Sequence, residues 1–384
     1  MRVALVSPGY PPDRGGVEQH VRGIARALAD LGVETEVLTY AKSKRPIVGT
    51  DGDVTVRRWP AYGLGVDFNA APGIARYLYH NGAAFDVVHS HNYHSATFAF
   101  ALAAEGVAAR VVSPFYHGVG SSRLSNALHP MYRLLSRRVL RGSQAVVAAS
   151  VAEAELLRGD FPFVNPVVIP CAVTTVSTGR HAESRQLLGG EPVILSVGRL
   201  VEYKRVDRLL EALPLLAGAI LVVVGEGNDA KRLHSLARAL RVSDRVRFVG
   251  ALSDAQLACW YQEASLVVSL SEQESFGLVP LEALSLGLPV VVSSIDTHRE
   301  LVGFDSAGGL RFVDADVDSA ELAEVLASAL RAGRLPPSDL IPTPDRIGRE
   351  LVSVYESAAQ RFRGGRRRRR RASGAPSPWG ARNA

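Results

Sequence analysis

Short runs of β-branched and other apolar residues alternate with longer stretches of helical periodicity along almost the whole 384-residue chain. Few folds accept that rhythm. A strand buried on both faces reads as a continuous apolar run, and successive parallel strands need a long crossover, usually a helix. The pattern therefore predicts α/β architecture with parallel sheets covered by helices. Strands are expected at 3–7, 34–39, 54–59, 86–90, 110–114, 145–149 and 167–169, then at 193–197, 220–224, 246–249, 266–269 and 289–293. This length exceeds what one hydrophobic core usually supports, so the expectation is two doubly wound, Rossmann-like domains facing across a cleft. A Thr-, Ser- and Gly-rich stretch over 171–190 marks the linker, which gives an N-terminal domain over 1–172 and a C-terminal domain over 173–344. A last helix is expected over 345–361, and a disordered Arg-rich tail over 362–384.

Composition excludes several classes. Cys171 and Cys259 have no partner at metal or redox spacing, so neither a disulfide framework nor a zinc site is indicated, and the reading is cytoplasmic. The opening apolar stretch is too short for a signal peptide and reads as a first strand, and no run of about 18 apolar residues is present. The net charge of +6 is local: nine Arg and no acid lie from Arg361 to the end, which leaves 35 basic against 38 acidic groups before it.

Open α/β sheets bind ligands beyond the carboxyl ends of their strands, so the chemistry is sought in the loops that follow them. After the strand at 266–269, a loop carries Glu274, and a Gly-containing turn then opens a helix near Val279 and Pro280, with Glu282 in its first turn. Free amides at Phe276, Gly277 and Leu278 would form an anion site at that helix N-terminus. A carboxylate on each side suits a diphosphate with a sugar at one end and a ribose at the other. The plainer reading makes Glu282 a dipole-favouring residue and Glu274 a solvated one. After the strand at 193–197 come Arg199 and Lys204, cations able to neutralise a diphosphate leaving group. After the first strand, Gly15 and Gly16 permit close backbone approach of an acceptor or a phosphate. After the strand at 110–114, His117 is placed to hydrogen-bond or to shuttle a proton. His89, His91 and His94 form a looser group without an acidic partner at metal-ligand spacing, and no metal is expected.

Taken in order, these pieces resemble glycosyltransferase family 4, a retaining family with the GT-B fold. The E-x7-E motif lies at Glu274 and Glu282, the donor-phosphate cations at Arg199 and Lys204, the N-domain glycine loop at Gly15 and Gly16, and the active-site histidine at His117. The resemblance implies transfer of a sugar from a UDP- or GDP-sugar to a glycan, lipid-linked or small-molecule acceptor with retention of configuration. It also implies that no cofactor or metal is required and that the last helix crosses back onto the N-terminal domain. By this resemblance Glu274 contacts the donor sugar, Glu282 holds the ribose, and Arg199 and Lys204 stabilise the departing diphosphate. The chain departs from the family at Ser294–Arg299, where a Gly-Gly pair is usual, and no role is carried onto His298 or Glu300.

Six Arg and no acid lie over 106–152, among them Arg133, Arg137, Arg138 and Arg141 interleaved with Leu128, Met131, Leu135 and Val139. A peripheral contact with an anionic membrane at its inner face is one reading. The favoured one buries those apolar residues in the core and leaves the Arg in water. The tail has no aromatic platform for nucleic acid, and no specific nucleic-acid partner is expected. The alternative function is a noncatalytic nucleotide-sugar-binding protein of the same fold.

Overall fold

The computed structural model describes residues 1–13, 15–41, 43–62, 70–118, 123–174, 190–314 and 316–372, with the side chains of 123–131 and 367–372 left aside. The chain divides into two compact units, one made of Met1–Ala149, Glu153–Ala172 and Pro344–Ala384, the other of Ser150–Ala152 and Val173–Thr343.

The first unit holds strands β1 (Arg2–Val6), β2 (Glu34–Ala41), β3 (Ile47–Asp51), β4 (Val54–Pro60), β5 (Val87–His91), β6 (Ala109–Ser113), β7 (Ala145–Ala148) and β8 (Val167–Val168). Their order in the sheet is β3-β4-β2-β1-β5-β6-β7-β8, and only the β3–β4 pair is antiparallel. Strand β3 was not expected from the sequence. It is a largely exposed edge strand interrupted by Gly49, and it lacks the apolar run that marks its buried neighbours. Helices α1 (Gly16–Asp30), α2 (Pro72–Asn81), α3 (Ala96–Ala99), α4 (Arg123–Gly142) and α5 (Val151–Asp160) cross between strands. In α1 the buried residues Val21, Ile24, Ala25 and Leu28 follow the spacing of one helix face.

The second unit pairs β9 (Val193–Val197), β10 (Ile220–Val224), β11 (Val246–Gly250), β12 (Leu266–Ser269), β13 (Val290–Ser293) and β14 (Leu310–Val313) in the order β11-β10-β9-β12-β13-β14, all parallel. Strand β14 is the second unexpected one; it alternates Arg311 with apolar residues on a half-buried edge. Between and after these strands run α6 (Val206–Ala212), α7 (Ala230–Ala239), α8 (Asp254–Glu263), α9 (Leu278–Ser285), α10 (Asp296–Arg299) and α11 (Ser319–Ala332). The order reverses between β9 and β12, so the loops after those two neighbours diverge and leave a crevice at the sheet's carboxyl edge.

The last helix, α12, runs Pro344–Ala372, well past the end expected at 361. The beginning of the tail, including Arg366–Arg371, is therefore helical backbone, and 373–384 lie outside the described residues. The helix completes the first unit's core, where Ile347, Leu351, Tyr355 and Ala358 pack with Val3, Leu5, Ile24 and Leu28. A Cβ at Gly348 would lie 3.1 Å from that of Ala27, so a glycine lets α12 and α1 approach closely. Burial of Ile347 and Leu351 contributes at most about 1.5–3 kcal/mol each.

Candidate active site

In the second unit the turns after β9 and β10 interlock. Gly198 N–H donates to Val224 O at 3.0 Å, Leu200 N–H to Glu226 O at 2.9 Å, and Gly225 N–H to Gly250 O at 2.8 Å. Gly225 takes φ +133°, and a Cβ there would sit 1.8 Å from the Gly198 carbonyl oxygen, so only glycine fits. This interlock fixes the backbone that carries Arg199, whose side chain is exposed and donates to the Tyr203 hydroxyl at 2.9 Å. The Lys204 stem lies over Gly198, its Cε 3.7 Å from where a Cβ would be.

From that position Lys204 forms an ion pair with Glu274 of the loop after β12, joining the two sides of the crevice. Glu272 in the same loop pairs with Arg205. Burial opposes charge on Glu274, but the Lys204 charge and hydrogen bond, with help from the Ser271 hydroxyl, more than offset it and hold the carboxyl below its ordinary value. The loop then reaches Phe276, buried against Phe304, and Gly277, which takes φ +95° as the N-cap of α9. The first amides of α9 have no acceptor within the helix and point out of its N-terminus, which follows Glu274 in the same loop.

Glu282 departs from the expectation. The helix starts at Leu278 with no acid in its first turn, and Glu282, its fifth residue, lies just past that turn. Its Oε2 accepts from the Tyr261 hydroxyl at 2.5 Å. Burial, with Asp254 nearby, outweighs that hydrogen bond and lifts its pKa to about 7.

In the first unit His117 follows β6 and stacks on His94, ring centroids 4.6 Å apart. Two residues before it, Phe115 takes φ +50°, a left-handed conformation that costs an aromatic residue energy. Glu153 of α5, 2% exposed, holds this bend: Oε1 accepts from Tyr116 N–H and Oε2 from Ala149 N–H, both at 2.7 Å. Its burial outweighs these donors and raises its pKa to about 7. Sequence reasoning passed over Glu153, although an acid in the first turn of a helix whose neighbours are apolar was a signal for buried backbone capture.

The Gly15–Gly16 turn opens α1, with Gly15 extended at φ 167°. The space beside it holds a carboxylate, since Cβ atoms built at Gly15 and Gly9 would lie 2.1 and 2.7 Å from Glu18 oxygens. His89 and His91 are core residues of β5. His89 bridges Ser113 Oγ at 2.8 Å and the Tyr355 hydroxyl at 2.7 Å, and His91 Nδ1 lies 3.1 Å from Val6 O. Burial depresses both pKa values. Among the described residues no group of three His, Cys, Asp or Glu side chains is disposed to hold a metal ion.

On α4, Ser136, Val139 and Leu140 are buried, and Arg137, Arg138 and Arg141 are exposed. Leu135, expected in the core, is 44% exposed beside Leu134 at 73%, because the helix rotates its Ser136–Val139–Leu140 face inward. The side chains of Leu128 and Met131 lie outside the described residues. Among the described residues no helix is long and apolar enough to cross a membrane.

Known proteins are similar to this chain along most of its length. Residues 15–172 match the glycosyl transferase 4-like domain, and residues 179–339 match the glycosyl transferases group 1 family. A D-inositol 3-phosphate glycosyltransferase of Frankia alni is 32% identical over 363 residues, covering 83% of this chain and 86% of that protein. Sucrose-phosphate synthase of Thermosynechococcus elongatus has the same fold with a TM-score of 0.69 at 21% identity, covering 97% of this chain and 100% of that one. Anabaena Alr3699/HepE, solved in complex with UDP, gives 0.67 at 19% identity, covering 95% of this chain and 100% of that one.

Proposed function

This chain belongs to the group 1 glycosyl transferases, and from that premise we propose that its second unit binds a UDP- or GDP-sugar whose sugar is transferred with retention and without a metal. The observation that carries the reading is the Lys204–Glu274 pair at the mouth of α9, with exposed Arg199 on the adjoining turn. A diphosphate at the α9 N-terminus meets amide dipoles and two cations, enough positive charge to stabilise a departing nucleoside diphosphate without Lewis-acid help. Removal of one such donor typically costs about 2.7–4 kcal/mol of transition-state stabilisation. On arrival the diphosphate competes for Lys204 and frees Glu274 to accept hydroxyl hydrogens of the sugar. Glu282, with one oxygen on Tyr261, offers the other to the ribose. His117, held in place by Glu153 through the backbone of 115–116, hydrogen-bonds reacting hydroxyls or moves their protons.

The acceptor is a hydroxyl compound of the glycan, lipid-linked or small-molecule kind. The acceptor named for the Frankia alni relative, D-inositol 3-phosphate, supports the small-molecule class. The Glu18 carboxylate beside Gly15 favours an acceptor that presents hydroxyls rather than an anion to that turn. UDP bound to Alr3699/HepE supports a uridine donor.

A thermal-shift panel of UDP-, GDP- and ADP-sugars in the presence of EDTA tests the donor assignment, because a ligand that binds only the folded state raises the melting temperature. One nucleotide family is expected to stabilise the wild type and to leave Arg199→Ala/Lys204→Ala unmoved. A folded wild type that ignores every donor, or binds only when a divalent metal is added, refutes the reading. The anomeric configuration of the product, read by NMR, decides retention.

A further inference from the structure

His298 lies on α10, in the loop where the chain departs from its family, and no function has been attached to it. Its side chain is completely buried. Nδ1 lies 3.0 Å from the Ser293 carbonyl oxygen and 3.1 Å from Ser293 Oγ, whose own hydrogen is donated to Ser271 O. Both neighbours therefore accept, so Nδ1 must carry the hydrogen, and the neutral ring presents a lone pair at Nε2. That Nε2 has no hydrogen-bond partner. The adjoining Cδ2 is 3.5 Å from where a Cβ would stand on Gly277, the N-cap of α9, and the neighbouring Thr297 hydroxyl donates to Glu274 O at 2.9 Å. The edge of the ring that carries Nε2 thus lies beside Gly277, at the end of the loop that carries Glu274. Burial, with Lys204 acting the same way, outweighs Glu274 and the Ser293 carbonyl and lowers the imidazole's pKa, which keeps it neutral at physiological pH.

A buried polar atom without a partner is costly, and one that lies beside a candidate ligand site calls for a ligand group to satisfy it. A phosphate oxygen cannot satisfy this one, since both would be acceptors; a hydroxyl can. Resting on the donor assignment above, we propose that His298 is a specificity-determining residue whose Nε2 accepts a hydrogen bond from one hydroxyl of the transferred sugar. A donor without that hydroxyl would leave Nε2 unsatisfied.

Titration calorimetry with UDP, UDP-glucose, GDP and GDP-mannose on wild type and His298→Phe tests the assignment. Phe keeps a planar aromatic ring, somewhat larger than imidazole, and removes the acceptor. The nucleotide sugar that wild type binds should bind about tenfold more weakly to His298→Phe, while the matching free diphosphate stays within twofold. Equal weakening of both, which would mean that His298 merely supports the anion end of α9, overturns the proposal, as does no weakening of either. His298→Gln restores an acceptor and should recover most of the selective loss; should the Phe variant fail to fold, the Gln variant decides, and a tenfold loss there overturns the proposal. Failure of wild type to bind any of the four ligands would instead sink the donor assignment, and this inference with it.

Discussion

Gly225→Ala should damage the candidate site without touching any charged residue in it. The added Cβ would stand 1.8 Å from the Gly198 carbonyl oxygen, and a tolerable carbon–oxygen separation is about 3.2 Å, so the turn must open by roughly 1.4 Å. The backbone at φ +133° adds about 1–3 kcal/mol of strain for any residue with a side chain. Opening the turn also strains the hydrogen bonds Gly198–Val224, Leu200–Glu226 and Gly225–Gly250. Together these give about 4 kcal/mol of lost stability, or a drop of about 8–16 °C in the melting temperature of the second unit. The same displacement carries Arg199 with it, and a 1 Å misplacement of a positioning group costs about 100-fold in rate. Scanning calorimetry and the release of nucleoside diphosphate from the donor measure the two effects. Gly303→Ala, where an added Cβ meets nothing within 4 Å, is the control. If Gly225→Ala melts within 2 °C of wild type and keeps its turnover, the interlocked turns do not position the site and the reasoning fails.

Two further outcomes follow from charge and burial. Lys204 and Glu274 are 18% and 20% exposed, between a solvated and a buried pair, so a Lys204→Met, Glu274→Gln cycle should give a coupling of about 1.5–3 kcal/mol at pH 7. The lowered folded-state pKa of Glu274 means that this coupling is present above the ordinary carboxyl value and disappears as pH falls through the folded one; less than 0.5 kcal/mol at pH 7 would mean the pair is solvated. Glu153 has the opposite sign: its pKa is raised to about 7, so its contribution is complete below the ordinary carboxyl value and lost as pH rises through 7. The loss amounts to roughly 3 kcal/mol. Urea unfolding of the first unit at pH 5 and pH 8 should show a flatter dependence in Glu153→Gln than in wild type, and an unchanged slope would show that the pH dependence has another source.

The sequence revealed those parts of the molecule that a local pattern encodes. Buried parallel strands must be apolar on both faces, so β1, β2 and β9–β13 were legible within a residue or two. Strands β3 and β14 were not, because an edge half in water is not obliged to be apolar. The placement of Glu274 and Lys204 after adjacent strands followed from the loops they occupy, but their mutual ion pair depends on β9 and β12 being neighbours, which only topology supplies. Glu282 falls just beyond the first turn rather than in it because Gly277, read as part of the turn, is the cap itself and starts the helix at Leu278, slightly before the expected opening. The bend-holding role of Glu153 and the tautomer of His298 depend on contacts with residues far off in the sequence or on burial, and only Glu153, an acid in a helix first turn among apolar neighbours, left a local sign. The Arg run after 365 was read as disordered from its charge, whereas its backbone continues the amphipathic helix that precedes it.

The route of the chain through α12 has a consequence for synthesis. Residues up to Ala172 make most of the first unit, yet the apolar side chains that close its core on α12 belong to a segment that begins at Pro344. All but three residues of the second unit must be translated in between. At about 5–20 residues per second this leaves Leu5, Ile24 and Leu28 without their last cover for roughly 10–35 s. The second unit, contiguous but for three residues, can finish first, so the half that leads in sequence is the half that matures last.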